Sequence, residues 1–305
     1  MNIVKYRAWW LGFSGLLVVA SLAAIFTYGY RLGIDFAGGS NLEVQLREIN
    51  TEALGTGLEE YLVTTYKDVT GFDTAAQSTG EDRYLLKSQV IDNDTKNEWI
   101  STISANMAVD ELRFETVSPV IGGEAVRKTI LAVLLAIIVI LLYLAYSFRK
   151  VPKPASAWRF GVATVIALTH DVIILMGTYA ILGQFFGAEV DAMFMTAMLT
   201  LLGFSVHDTI VTFDRLRENL IRQGGDNFAT KVNNSIIETI TRSINTSFTV
   251  VLVLLAMVLM GGGSIFFFTL SLLIGIIIGT YSSIFIASMV LLWWQTRAER
   301  SLLKQ

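Results

Sequence analysis

GFSVHDTIVTFDRLREN, residues Gly203–Asn219, begins inside a long apolar run and ends in a cluster of charges. Asp208 falls in the apolar part. An ionised carboxylate in hydrocarbon costs several kcal/mol, so it is rarely found there without a partner or a task. The run that carries it, Ala192–Phe213, is one of six. The others are Trp9–Tyr28, Ile130–Tyr146, Trp158–Leu182, Ser243–Met260 and Ile265–Trp294. Apolar runs of about 18 residues are the signature of membrane spans. The last run is longer than one crossing needs and is expected to tilt or to extend past the bilayer. The whole chain of 305 residues is 53% apolar and 16% charged, whereas a soluble domain carries about a quarter charged residues. The fold class is therefore an α-helical integral membrane protein with six transmembrane helices.

Composition also excludes several functions. A net charge of −3 gives no reason to expect nucleic acid. The absence of cysteine removes disulfides, thiolate metal sites and cysteine nucleophiles. There is no GxxxxGK[ST] loop for ATP and no constellation for nucleophilic, metal or phosphate chemistry. The chain reads as a protein that is not an enzyme, holds no cofactor or metal, and takes its energy from elsewhere.

The first run competes with a cleaved signal peptide, because Ser21, Ala23 and Ala24 are small. At near 20 residues it exceeds the usual h-region of about 7–15, which favours an uncleaved first span. From Arg31 to Gly123 the composition turns polar and acidic. SNLEVQL (Ser40–Leu46) alternates as a strand does, Thr51–Tyr66 reads as a helix with a Thr cap, and Phe72–Gln77 and Arg83–Val90 are strand candidates around SerThrGlyGluAsp. Asp94–Val109 reads as a second helix and Glu111–Val117 alternates again. The order β-α-β-β-α-β predicts an α+β, ferredoxin-like domain between the first two spans. Three units result: 1–30, the N-terminus and first span; 31–123, the inserted domain; and 124–305, spans two to six with their loops.

Orientation follows from Lys and Arg in the short loops. Arg149, Lys150, Lys153 and Arg159 lie in one loop, and Arg215, Arg217, Arg222, Lys231 and Arg242 in another. Arg297, Arg300 and Lys304 lie in the C-terminus. The opposite side has Glu189 and Asp191 in one loop and the uncharged stretch 261–264 in the other. Both termini are thus expected in the cytoplasm and the 31–123 domain outside. Arg127 and Lys128 run against this rule, with Glu124 to offset them.

Three spans carry polar stripes. Asp171, beside His170, shares a helical face with Thr164, Ala167, Ile174 and Thr178. Ser205 and Thr212 flank Asp208 at i−3 and i+4; Arg242 shares a face with Asn245, Thr246 and Thr249. Such stripes face a bundle interior or a wet cavity. By the helical rise Asp208 lies roughly 8 Å from the inner end of its span and Asp171 about 20 Å. An acid buried beside an arginine can exchange its proton near neutral pH. Asp208 is therefore the first candidate for a proton site, with Arg242 as its partner and Asp171 as a second acid. The plainer readings are an interfacial snorkelling Arg242, a protonated Asp171 that only bonds a neighbouring helix, and His170 and His207 as packed interhelical donors. Asp214, Arg215, Arg217 and Glu218 read as a solvated helix end with i,i+3 or i,i+4 pairs, and GlyIleIleIleGly (275–279) as a packing face.

Four stretches together resemble the SecD/SecF family of bacterial protein-export membrane proteins, within the RND superfamily of proton-driven machines. They are LGIDFAGGSNLEV (32–44), ALTHDV (167–172), the opening stretch, and SIIETITRSINTSFTVVLVLLAMVLMGGG (235–263). The resemblance implies an auxiliary subunit of the Sec translocase in the bacterial cytoplasmic (inner) membrane. It would work with SecD and the SecYEG channel on a translocating, unfolded polypeptide, driven by the proton motive force. By motif match the family's essential acid falls on Asp208 and its arginine on Arg242. The family usually has Asn where this chain has His207, which raises the question of a second titratable group. Sodium is the alternative ion, because a carboxylate with Ser and Thr oxygens binds hard cations.

One charge moved through about 100 mV is worth ~2.3 kcal/mol, and a pH difference of about one unit adds ~1.4 kcal/mol. The sum shifts a two-state equilibrium by several hundredfold, enough to bias a hinge. Gly38 and Gly39 at one junction, with Gly29 and Gly33 before them, and Gly122 and Gly123 at the other are the expected flexible points. The alternative reading is a half-size RND-like exporter of lipids or small hydrophobic molecules; a third is a scaffold that only stabilises a partner complex.

Overall fold

A computed structural model describes residues 2–49, 57–80, 82–152, 155–222 and 227–302. Among the described residues, six helices are long and apolar enough to cross a membrane. They are α1 (Arg7–Tyr28), α4 (Pro119–Ser147), α5 (Ala157–Phe186), α6 (Ala192–Arg222), α7 (Phe228–Met260) and a sixth span built from α8 and α9. In that sixth span α8 (Gly263–Tyr281) passes through a π turn, Ser282–Ile286, into α9 (Ala287–Leu302). At 1.5 Å per residue α7 is about 50 Å long, well beyond a hydrocarbon core of about 30 Å. About the first 20 Å of it, the polar start, therefore extends beyond the hydrocarbon core.

Between α1 and α4 lies a four-stranded antiparallel sheet with two helices. The order is β1 (Gly39–Arg47), α2 (Leu58–Thr70), β2 (Ala75–Gly80), β3 (Arg83–Ser88), α3 (Asn93–Ile103) and β4 (Ala108–Val117). The strands lie side by side as β2-β3-β1-β4, with Leu42 opposite both Leu86 and Phe114. Alternation sends Leu42, Val44, Leu46 and Leu86 to one face, where they pack on Leu62, Tyr66, Trp99, Ile103 and Met107 from the helices. The opposite face is polar, with Asn41, Glu43, Lys87, Arg113 and Glu115 turned towards the near end of the bundle. A cavity of about 750 Å³ separates the two.

Several boundaries differ from expectation. The start expected for the first helix, including its Thr51 cap, lies outside the described residues. Its end runs on to Thr70, where Gly71 in the left-handed region (φ 74°) stops it. The second helix is capped by the Asp92 carboxylate on the Thr95 N–H at 2.9 Å and ends at Ile103, not Val109. Ala108 and Val109 pair instead with Arg47 and Leu46 of β1. Met107 still reaches the core, which is why its spacing matched a helix.

In the bundle α5, α6 and the sixth span supply most of the buried side chains. By contrast α4 turns Ile130, Leu134, Ile138 and Leu142 outward, as a lipid-facing helix does. Its other side packs on the core along its length, through Ala125, Val126 and Val133 near its start, Ile140 further on, and Leu144 and Phe148 against Phe160 and Phe213 at its end. α1 crosses α5 where Gly177 meets Ser21; a Cβ on that glycine would lie 2.3 Å from the serine Cβ.

Candidate functional site

Asp171, midway along α5, is fully buried. Buried polar atoms need partners, and both carboxylate oxygens have them. The Ser205 hydroxyl of α6 donates to Oδ2 at 2.7 Å, and the Ser282 hydroxyl of the π turn donates to the same oxygen at 2.7 Å. His170 Nδ1 lies 3.0 Å from Oδ1. A single carboxylate thus ties three spans together. Ser283 hydrogen-bonds the Ser205 carbonyl at 2.7 Å, and the approach is close because position 279 is glycine, where a Cβ would lie 3.2 Å from Ser205 Cβ. His170 Nε2 is buried with no partner. Its ring lies 6.5 Å from that of Tyr281, whose phenol pairs with Ser14 of α1 at 3.0 Å.

Asp208 sits one turn further along α6, at the head of a polar seam with α7. Its Oδ2 is 3.5 Å from Ser247 Oγ, which accepts a 2.7 Å hydrogen bond from Thr280 of α8. Below it Thr212 meets Thr239 at 3.4 Å and Asn219 donates to Ser235 at 2.9 Å. The seam closes with Arg215, which bridges Glu238 of α7 and Glu218 of its own helix, both at 2.5 Å. The charged helix end is therefore a cross-helix clamp as well as a set of local pairs.

The row of α7 that faces inward is Ser235, Thr239, Ser243 and Ser247, all buried at a strict four-residue spacing. Arg242, Asn245, Thr246 and Thr249 lie on its exposed side, and so does His207 of α6. No ion pair joins Arg242 or His207 to Asp208; Arg242 precedes Ser243 of the inward row, and His207 precedes Asp208 on α6. Ser205 serves Asp171 rather than Asp208, and Thr212 belongs to the seam. The Ser/Thr repeat of α7 is visible in the sequence and would have identified the inward row. Ser282 had a weaker signal, a Ser-Ser pair inside a span.

At the bundle end nearest the inserted domain, that domain is stitched to the loop between α5 and α6. Gly33 N–H donates to the Val190 carbonyl at 2.9 Å, and Val190 N–H to that of Arg31 at 2.7 Å. The Asp35 carboxylate accepts from Ala192 N–H at 2.9 Å, and Lys87 pairs with Glu189 at 2.7 Å. Asp191 caps α6 through Phe194 N–H at 2.7 Å. Burial, with smaller pushes from Asp35 and Glu189, holds its carboxyl above the usual range. Gly38 has φ +78°, and a Cβ there would lie 2.7 Å from Pro119; one on Gly122 would lie 2.7 Å from the Phe36 carbonyl. Gly39 is as tight against the Ser88 carbonyl, whereas Gly123 is open. Among the described residues no group of three or more His, Cys, Asp or Glu could hold a metal ion.

Comparison with known proteins gives consistent matches. The family model described as protein export membrane protein SecD/SecF, C-terminal, matches residues 99–297, and the SecD/SecF GG motif matches residues 23–48. The protein translocase subunit SecF of Thermobaculum terrenum is 38% identical, over 97% of this chain and 95% of its own. That of Anaerolinea thermophila is 37% identical, over 100% and 97%. The crystal structure of SecDF, a translocon-associated membrane protein from Thermus thermophilus, superposes with a TM-score of 0.81 at 30% identity. It covers 97% of this chain and 39% of that longer one.

Proposed function

The chain belongs to the SecD/SecF family of protein-export membrane proteins, and from that premise we propose that its buried carboxylates couple ion entry to polypeptide export. It is a non-catalytic auxiliary component of the Sec protein translocase and a multi-pass protein of the inner membrane. Asp208 carries the coupling proposal: a carboxylate inside a span, heading a polar seam that leads to one end of the bundle, with an arginine charge close by. Asp171 is the second acid in this reading, and the proton motive force is the energy source. The Ser205 and Ser282 hydroxyls already donate to the Asp171 carboxylate at 2.7 Å, which favours a proton over sodium as the particle.

A partner follows from what α7 exposes. Arg242 and Asn245, with His207 beside them, are polar groups at membrane depth that a lone chain leaves uncovered, and such groups face protein or water rather than lipid. A SecD bundle is the proposed cover, with the SecYEG channel and the unfolded polypeptide as further partners. The inserted domain, residues 31–123, is proposed to be ferredoxin-like on its element order and sheet order, and to lie outside, with both termini cytoplasmic on loop charge. The unit 124–305 is the proposed coupling bundle. The tight packing of Gly38 and Gly122 supports motion of the junction as a block, with Gly123 the freer point.

The test is export into vesicles that carry SecD, SecYEG and this chain. Replacing Asp208→Asn is expected to leave the complex assembled and to lower gradient-dependent release by about tenfold or more, as for loss of an essential charge-bearing group. Normal release from that variant would refute the coupling.

A further inference from the structure

The sixth span reads both acids within three residues. Thr280 contacts Ser247, which reaches Asp208, and Ser282 contacts Asp171. At Ser282 the helix opens into the π turn, which accommodates one more residue than an α-helical turn. Its sequence, SSIFI, contains no proline or glycine to impose that geometry. What holds it is external: Ser282 on the Asp171 carboxylate and Ser283 on the Ser205 carbonyl.

We propose that the charge on Asp171 sets the register of the sixth span. With the carboxylate ionised, the π turn is held. When Asp171 takes up a proton, the turn relaxes to α and α9 rotates by about 100° with a shift of ~1.5 Å along its axis. This rests on the reading of Asp171 as a coupling group.

The chemistry gives the direction. A hydroxyl bonds a charged acceptor about twice as strongly as a neutral one. Ser282 also has a second acceptor in reach, the Gly279 carbonyl at 3.2 Å, to which its hydroxyl turns when the charge is lost. The unpartnered Nε2 of His170 offers a place for the proton to arrive. Few groups face the pair: Ser205 from α6, Ser282 and the Tyr281 phenol from the sixth span, and Ser14 from α1 through that phenol. Tyr281 is the one other titratable group among them; Asp208 faces α7. The half of the span that moves contains Gln295, which is buried and bonds Arg159 of α5, so rotation transmits the event to the far end of α5.

The chain has no cysteine, which makes a cross-linking test clean. In vesicles holding the full complex, a cysteine at position 159 is paired with one at 295 or at 294. Straightening the turn moves residue 294 to where 295 was. The expected result is preferred cross-linking of 159 to 295 with Asp171 intact, and to 294 in Asp171→Asn. The ratio should change by about fivefold or more, the factor for one hydrogen bond's difference. Ser282→Ala should produce the same exchange with Asp171 in place. The same pairs without further substitution, at external pH 8 and 5.5, test the switch should either variant fail to fold. An unchanged preference for 295 in every form overturns it. If the preference moves but Asp171→Asn exports with full gradient dependence, the switch stands and the coupling reading of Asp171 falls. If export is lost and the preference stays, the switch falls alone.

Discussion

Ser205 has two contacts that matter: its hydroxyl satisfies Asp171 and its carbonyl receives Ser283. Ser205→Ala leaves a buried carboxylate oxygen with one donor fewer. A lost hydrogen bond to a buried charged group costs about 1.5–3 kcal/mol, so a lower melting temperature of the detergent-solubilised complex is expected. No change would mean that Asp171 is already neutral and indifferent to the contact. At this scale the sequence was informative about identity and poor about pairing. Asp171, Asp208 and Ser205 stand out because polar groups are rare in apolar runs. Which serine serves which acid depends on how α6 is rotated against two neighbours, and no periodicity in one helix contains that. Arg242 illustrates the point: its face looked inward by composition, yet the four-residue row of smaller hydroxyls on α7 is the one that packs.

The helices themselves were legible wherever burial or lipid alone explains them. All six runs became spans, because twenty apolar residues admit few alternatives. Their ends were not legible: α7 begins at Phe228 although its apolar run begins at Ser243, since a helix continues into water once packing supports it. The π turn was invisible, because its cause is a contact from another span. Helix crossings depend on single small residues. Gly177→Ala would put a methyl group 2.3 Å from Ser21 Cβ, forcing α1 away from α5. Overpacking of this kind costs about 1–3 kcal/mol, expected as a lower midpoint in denaturant with the α6–α7 seam intact. Wild-type stability in that variant would show the crossing to be looser than drawn.

For the whole molecule, the contact that joins domain to bundle is sensitive to acid. Asp191 titrates near 3.9 when unfolded and is held higher when folded, chiefly by burial. Between those two values the folded form binds more protons, so the junction loses stability as pH rises and is firmest on the acid side. Amide exchange over residues 190–194, corrected for intrinsic rate, is therefore expected to slow between pH 7 and 4.5. Asp191→Asn should flatten that dependence while keeping the cap on α6; a flat profile in the unaltered chain would contradict it. The side expected to face outward is the one a proton gradient acidifies, so docking would tighten while the gradient lasts.

One helix gives the domain its mechanical reach. The second span, α4, follows β4 directly, is clasped at its first turn by Phe36 and Gly38, and packs on the bundle through Ala125, Val126, Val133, Ile140 and Leu144. It is a strut that carries the inserted domain and is held along one side by the bundle. Over roughly 40 Å of helix, a tilt of a few degrees becomes a stroke of several ångströms. Because its other face, with Ile130, Leu134, Ile138 and Leu142, is apolar and exposed, lipid viscosity becomes part of the resistance to such a stroke.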